Sequence, residues 1–339
     1  MASKFIYIQL YGWISKPSPK SDITSNYLLI AGRQLGKSSL LKAIERHYQD
    51  QPEISCFYYT LANEEITSPL ADLLDLPFDS SLSEIISYLK HQINKKQKKY
   101  LFLIDEADDF IQYERKNKYK VLKALRTLSE GGNCAFILAG FWYLYDYSVL
   151  DYQSPLANFG EILELGCLES KACQQLATEP MATMGIKFAG QDLIELILKQ
   201  TGQRPNLIAI CCHEILKNWD NRERIISLEN VKQALNSDAI KRDLRRWKNL
   251  TSIEAETNID RAIVYTMIKH EKFNFTELVT CLKHQDFDFK VADLERSLAR
   301  LTLAFIIRLE EPDYFWQVPL FYQPLRAMDL SVFLDAEKK

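Results

Sequence analysis

Short apolar runs recur along the first half of the chain. Most are followed by a stretch in which apolar residues return every third or fourth position. Phe5–Leu10, Tyr27–Ala31, Ile54–Thr60, Tyr100–Ile104, Cys134–Ala139 and Glu161–Leu165 read as strands. Leu40–Tyr48, Leu82–His91 and Tyr119–Ser129 carry helical spacing, and Lys16-Pro17-Ser18-Pro19-Lys20 is a loop. Such alternation predicts an α/β fold, a parallel sheet with helices on both faces. From Leu168 the strand pattern stops. Glu169–Ala182, Gln191–Gln200, Pro205–Trp219 and Leu228–Leu235 predict an all-α segment, a lid. After Asn236 come three more helices, Asn258–Lys269, Phe275–His284 and Val291–Leu301, and two short strands, Ala304–Leu309 and Tyr314–Val318, the order of a winged helix. The expected domains are therefore 1–166, 167–240 and 241–339.

The chemistry sits at two of the strand ends. Tyr27-Leu28-Leu29-Ile30 leads into Ala31-Gly32-Arg33-Gln34-Leu35-Gly36-Lys37-Ser38, and a helix follows. Strand, glycine-bearing loop and helix make a phosphate-binding loop, the core of a P-loop NTPase. Backbone N–H groups from Gly32 to Ser39 converge on the β-phosphate, because the loop and the helix N-terminus both favour an anion. Lys37 reaches the β- and γ-phosphates, and the Ser38 hydroxyl ligates Mg²⁺. Ala31 replaces the first glycine of the usual pattern, a small change at a strand end. The second strand end is Leu101-Phe102-Leu103-Ile104-Asp105-Glu106. Asp105 suits a water-mediated contact to Mg²⁺, and Glu106 a general base for the attacking water. Two adjacent acids there predict the P-loop branch that places a further strand between the two motif strands.

Composition narrows the rest. The chain has 339 residues, 47% apolar and 26% charged, enough for two or three domains with real cores. A formal charge of −3 exerts no global pull on nucleic acid or on an acidic membrane. Seven cysteines form no C-x-x-C pair and five histidines make no metal pattern, which fits a reduced, cytoplasmic protein. The most apolar stretch, Ala135 to Tyr145, is shorter than the roughly 20 residues a bilayer span needs, and the N-terminus lacks a secretory signal. No membrane partner is expected.

With these motifs in order, the chain resembles the STAND class of P-loop ATPases, relatives of AAA+ proteins. The resemblance extends to Phe136-Ile137-Leu138-Ala139-Gly140, Ser154-Pro155-Leu156-Ala157-Asn158-Phe159, Glu179-Pro180-Met181, Gly202-Gln203-Arg204-Pro205 and Val318-Pro319-Leu320-Phe321. It implies an ASCE/AAA+-like core, ATP or ADP with Mg²⁺ as ligand, and slow hydrolysis. It also implies a switch that changes conformation, or assembles with like subunits or a separate effector or sensor protein, in the ATP state. The Gly-Arg motif that precedes the phosphate loop in that class is missing, so the N-terminus is expected to be truncated or divergent.

Several residues carry two readings. In the family Pro205 contacts adenine; its position is also a favoured helix start. Arg204 is either a lid sensor of the γ-phosphate or a solvated arginine. Residues 134–170 contain no Lys or Arg, so the usual trans-acting arginine finger is absent, and a finger is worth about 10³–10⁵ in rate. Arg126 is the substitute candidate, for phosphate or for an intersubunit contact; the other reading is a solvated helix-end residue. Lys241, Arg242, Arg245, Arg246 and Lys248 form a basic helix that is either a linker with salt bridges or a contact for nucleic acid or a partner. On Val291–Thr302, Asp293 and Glu295 balance Arg296 and Arg300, which disfavours a DNA-reading helix. The main expectation is an ATP-dependent switch. The alternative is a DNA-associated AAA+-like ATPase, an initiator or a transposition regulator.

Overall fold

The computed structural model describes residues 25–61, 65–96, 98–219 and 224–338. The strand expected at Phe5–Leu10 and the loop at 16–20 lie outside them. The chain divides into two compact units, one ending at Leu165 and one beginning at Gly166. The stretches expected as lid and as winged helix lie in the same unit.

The first unit runs β1 (Tyr27–Ile30), α1 (Lys37–Tyr48), β2 (Ile54–Thr60), α2 (Thr67–Leu73), α3 (Leu82–Lys96), β3 (Lys99–Asp105), α4 (Asp108–Lys116), α5 (Lys120–Ser129), β4 (Cys134–Gly140), α6 (Trp142–Tyr145) and β5 (Glu161–Glu164). The strands form one sheet in the order β2-β3-β4-β1-β5. All four pairings are parallel. The strand β4 lies between β1 and β3, as the acid pair at 105–106 predicts. All seven β4 residues are buried, because helices cover both faces of a central parallel strand. Phe57, Phe102 and Phe136 stack across β2, β3 and β4 at centroid distances of 5.5 and 5.2 Å.

One buried polar residue fixes the strands' N-terminal edge. Asn26 donates from Nδ2 to Ser129 Oγ (2.8 Å) and to the Phe159 carbonyl (3.0 Å), and its Oδ1 accepts from Phe136 N (3.0 Å). Gly160 must be glycine, since a Cβ there would lie 2.4 Å from the Asn26 carbonyl oxygen. The C-terminal end of α5, at Ser129, is therefore held at the edge opposite the phosphate loop.

The second unit holds α7 (Ser170–Thr183), β6 (Lys187–Phe188), α8 (Gln191–Thr201), α9 (Pro205–Lys217), β7 (Ile225–Ile226), α10 (Leu228–Leu235), α11 (Asp238–Leu244) and α12 (Glu254–Met267). Then follow β8 (Lys272–Asn274), α13 (Phe275–His284), α14 (Val291–Leu303), β9 (Ile307–Glu310), β10 (Asp313–Trp316), α15 (Pro319–Arg326) and α16 (Ser331–Glu337). The strand β8 is not apparent in the sequence pattern; it pairs with β10 to make a three-stranded antiparallel sheet, β8-β10-β9. The basic stretch at 241–248 is not one helix: α11 ends at Leu244 and a 3₁₀ turn spans Arg245–Asn249. Gly202 closes α8 with φ +58°, and a Cβ on it would stand 2.5 Å from the Gln317 carbonyl oxygen.

Candidate nucleotide-binding site

The loop between β1 and α1 is shaped by its backbone. Gln34 and Gly36 take left-handed φ values of 65° and 100°, which turn the chain back on itself ahead of the helix. Ala31 is buried and its N–H donates to the Gly140 carbonyl (3.2 Å), so the alanine that replaces glycine sits as the last rung beside β4. Leu35 is buried, Arg33 and Gln34 are exposed, and Gly36, Ser38 and Ser39 are half-buried. Gly32 is buried.

Lys37 is 7% exposed and its Nζ donates to the Ala31 (3.1 Å) and Gly32 (3.4 Å) carbonyls. Burial pushes its ammonium below the ordinary lysine value; Asp108, Glu106 and Asp105 pull it back up, and Arg33 adds to the depression. A buried cation among three carboxylates is the electrostatic centre of the site. Its charge balance and open glycine-bearing loop fit a phosphate with an accompanying divalent cation.

The carboxylates differ in role. Asp105 is buried at the end of β3, with Oδ1 accepting from Glu106 N (3.0 Å) and Oδ2 from Tyr58 Oη (3.1 Å). Glu106 has φ +55°, which breaks the strand, and its side chain is exposed. Asp108 opens α4 and binds the exit of β4: Oδ2 accepts from Phe141 N (2.6 Å), Oδ1 from Tyr143 N (2.8 Å) and Leu144 N (3.2 Å). Desolvation pushes this carboxyl above the usual range, and the three N–H groups and Lys37 act against that shift. Among the described residues no group of three His, Cys, Asp or Glu side chains could hold a metal by itself. A Mg²⁺ ion that binds mainly through phosphate oxygens and water would need no such group, and Ser38 and Asp105 are the residues that would help to hold it.

Lys37, Asp105 and Glu106 thus come together as the sequence predicts. Asp108 and Tyr58 are additions. The acid run shows Asp108, though not the clamp it makes 33 residues away; nothing in the sequence marks Tyr58. Arg126 is not brought to the site. A separate helix, α4, intervenes after Glu106, and Arg126 lies in the last turn of α5, beside the Asn26 edge of the sheet. Its Nε is 3.6 Å from Glu130 Oε1. A phosphate contact to the loop of the same chain is ruled out by that placement.

In the second unit Pro205 is buried at the first position of α9. Arg204 is not a solvated residue: Nη1 donates to the Ala304 carbonyl (3.0 Å), and burial pushes the guanidinium below its ordinary value. Arg300 is 1% exposed and pairs with Asp260 through Nε (2.7 Å) and Nη2 (2.8 Å), and with Glu256 (2.9 Å). Arg296 lies 3.5 Å from Glu256. Lys241 and Arg246 face Asp238 (3.9 Å) and Asp243 (3.7 Å).

Comparison with known proteins agrees with the fold. Residues 24–147 match the family model described as "AAA domain". No curated protein matches the chain. Among solved structures, the Walker-type ATPase of Pyrococcus abyssi is similar at 17% identity and a TM-score of 0.61, over 96% of this chain and 94% of that one. The ORC2 protein of Aeropyrum pernix, in ADPNP-ADP complexes, is similar at 15% identity and a TM-score of 0.60, over 99% and 93%. Its ADP form reaches a TM-score of 0.52 at 16% identity. The fold is that of an AAA+-like P-loop NTPase, with the AAA-type domain at 24–147.

Proposed function

We propose that the chain is an ATPase that binds ATP and ADP with Mg²⁺ at the 31–39 loop and works in association with DNA. The buried Lys37 amine, set among Asp105, Glu106 and Asp108 at the end of a P-loop, carries the nucleotide part. Lys37 neutralises the β- and γ-phosphates, and the backbone N–H groups from Gly32 to Ser39 surround them. Ser38 and Asp105 are the residues that would hold Mg²⁺, which supplies charge neutralisation on the phosphates. Tyr58 orients the Asp105 carboxylate. Glu106 takes a proton from the attacking water. Asp108 fixes the turn after β4, so the wall facing Glu106 does not drift.

The wider role is the initiator-type alternative read from the sequence, and the likeness in fold to ORC2, which runs nearly the full length of both chains, favours it over the switch. The switch expected from the STAND resemblance has no support of that length. The missing trans-acting arginine finger argues against a fast, ring-shaped motor, and slow turnover fits that loss. We further infer that residues 254–318 form a winged helix that packs within its own unit, since Arg300 and Arg296 face acidic partners there.

Two variants test the site. Lys37→Ala should abolish the thermal stabilisation that ADP-Mg²⁺ gives the wild type, and an unchanged stabilisation would refute the assignment. Glu106→Gln should bind ATP and hardly turn it over. Basal turnover near 10 s⁻¹ in the wild type, the ordinary enzyme range, would refute slow hydrolysis.

A further inference from the structure

Residues 115–129 contain Arg115, Lys116, Lys118, Lys120, Lys123 and Arg126 and no acid, in a chain whose net charge is −3. The first five sit at the turn between α4 and α5, and all five are exposed. Arg115 is engaged by Tyr147, whose hydroxyl it meets at 2.9 Å, and by the charge of Asp151. Lys123 Nζ donates to the Lys118 carbonyl (3.0 Å). Lys116, Lys118 and Lys120 form no ion pair within 4 Å among the described residues. The basic stretch at 241–248, by contrast, has acids beside two of its members.

The turn is built to hold a fixed shape. Lys118 and Tyr119 are successive non-glycine residues with φ of 56° and 57°. Tyr119 N donates to the Glu114 carbonyl (2.7 Å), and the buried Glu114 carboxylate accepts from Val121 N (2.8 Å) and Leu122 N (3.0 Å). Glu114 offsets one positive charge and leaves the surface lysines in excess. Their position is unfavourable for the fold: Lys120 and Lys123 crowd the N-terminal turn of α5, which has no acid and where the helix dipole prefers one. No large apolar side chain is exposed between 113 and 130. Protein interfaces are depleted in lysine and centred on apolar and aromatic anchors, whereas phosphate backbones are held by lysine point charges.

We infer that the α4–α5 turn, through Lys116, Lys118, Lys120 and Lys123, binds the phosphate backbone of DNA without reading its bases. This rests on the DNA-associated reading and assigns its contact surface to the nucleotide-binding unit. The helix α4 carries Asp108 at one end and this turn at the other, so a load on the turn bears on the wall of the nucleotide site.

The test is anisotropy of a labelled 30-bp duplex titrated with the full chain across a salt series. The triple variant Lys116→Gln/Lys118→Gln/Lys120→Gln is compared with Lys241→Gln/Arg246→Gln, and ADP-Mg²⁺ stabilisation checks that each is folded. Each neutralised phosphate contributes about 0.9 to the slope of log affinity against log salt, so the triple variant should lower it by about 2 to 3 and weaken binding at least tenfold near 0.1 M salt. The control pair should bind as wild type. Equal affinity and slope in the triple variant would overturn the assignment of this surface and leave a DNA-associated ATPase standing. No binding by the wild type at 50 mM salt would overturn both. Displacement of the duplex by poly-glutamate at equal charge would move the surface to an acidic protein partner and overturn the inference.

Discussion

Replacing Asp108 by Asn tests whether the β4 exit is held as described. The wild-type carboxylate accepts three backbone N–H bonds, from Phe141 (2.6 Å), Tyr143 (2.8 Å) and Leu144 (3.2 Å). Asparagine keeps the shape. Its amide oxygen can still serve Tyr143 and Leu144, but its NH₂ then faces the Phe141 N–H, donor against donor. Phe141 is buried, so that N–H finds no water to replace the lost acceptor. A charge-assisted hydrogen bond contributes about 1.5–3 kcal/mol, and a buried unsatisfied donor costs a similar amount, which puts the variant about 2 kcal/mol below wild type. If the loss falls on local opening, amide exchange across 139–146 should accelerate roughly 30-fold, since 1.4 kcal/mol is a factor of ten. Hydrogen-exchange mass spectrometry of that peptide reads the effect directly, and urea unfolding reads the global share. Asp108→Ala should cost more, because all three donors lose their acceptor. Wild-type exchange at 139–146 in both variants would refute the clamp, and with it the role given to Asp108 in holding the site wall.

Two further outcomes follow from buried groups. Arg300→Leu leaves the fully buried Asp260 carboxylate without its bidentate partner and should cost about 3–5 kcal/mol, seen as a lowered urea midpoint of the full chain; Asp260→Leu/Arg300→Met should recover much of it. Wild-type stability in Arg300→Leu would mean that the ion pair does not form. Burial pushes the thiols of Cys56, Cys167, Cys173 and Cys212 up to about 12, and those of Cys134 and Cys211 up as well. At pH 8 these six are protonated, so iodoacetamide should label none of them in the native chain on the timescale that labels all seven cysteines in urea. Rapid native labelling of any of the six, located by peptide mass, would show that its pocket is open to solvent.

The sheet is legible in the sequence because four of its five strands are largely apolar runs stopped by a turn, and the two motif ends are short local patterns. What escapes is non-local or mixed in polarity. The helix α4 reads Asp108-Asp109-Phe110-Ile111-Gln112-Tyr113-Glu114-Arg115-Lys116, with only Phe110 and Ile111 supplying a buried apolar pair and a carboxylate, Glu114, filling the next inward position. No periodicity rule expects a buried glutamate there. Missing that helix puts Arg126 one element too near Glu106. The strand β8 spans three residues and exists through its pairing with β10, which lies some forty residues on. The charge run at 241–248 draws the eye in the sequence, yet its acids sit one helical turn away and accompany it. The run at 115–126 looks like ordinary helix surface until the fold shows that Glu114, the acid just before it in the sequence, is turned inward onto the backbone of α5.

Glu106 holds its place at a thermodynamic disadvantage. A side chain with a Cβ at φ +55° costs about 1–2 kcal/mol relative to the right-handed region, and glycine would bear no such cost. Glu106→Gly is therefore a substitution that raises stability while removing the carboxylate proposed as the base. Foldability alone favours glycine at this backbone position, and the proposed role of the carboxylate is what accounts for a glutamate there. On the proposed role of Glu106, a stability screen of this chain run without an activity readout would enrich for chains that bind nucleotide and leave it intact.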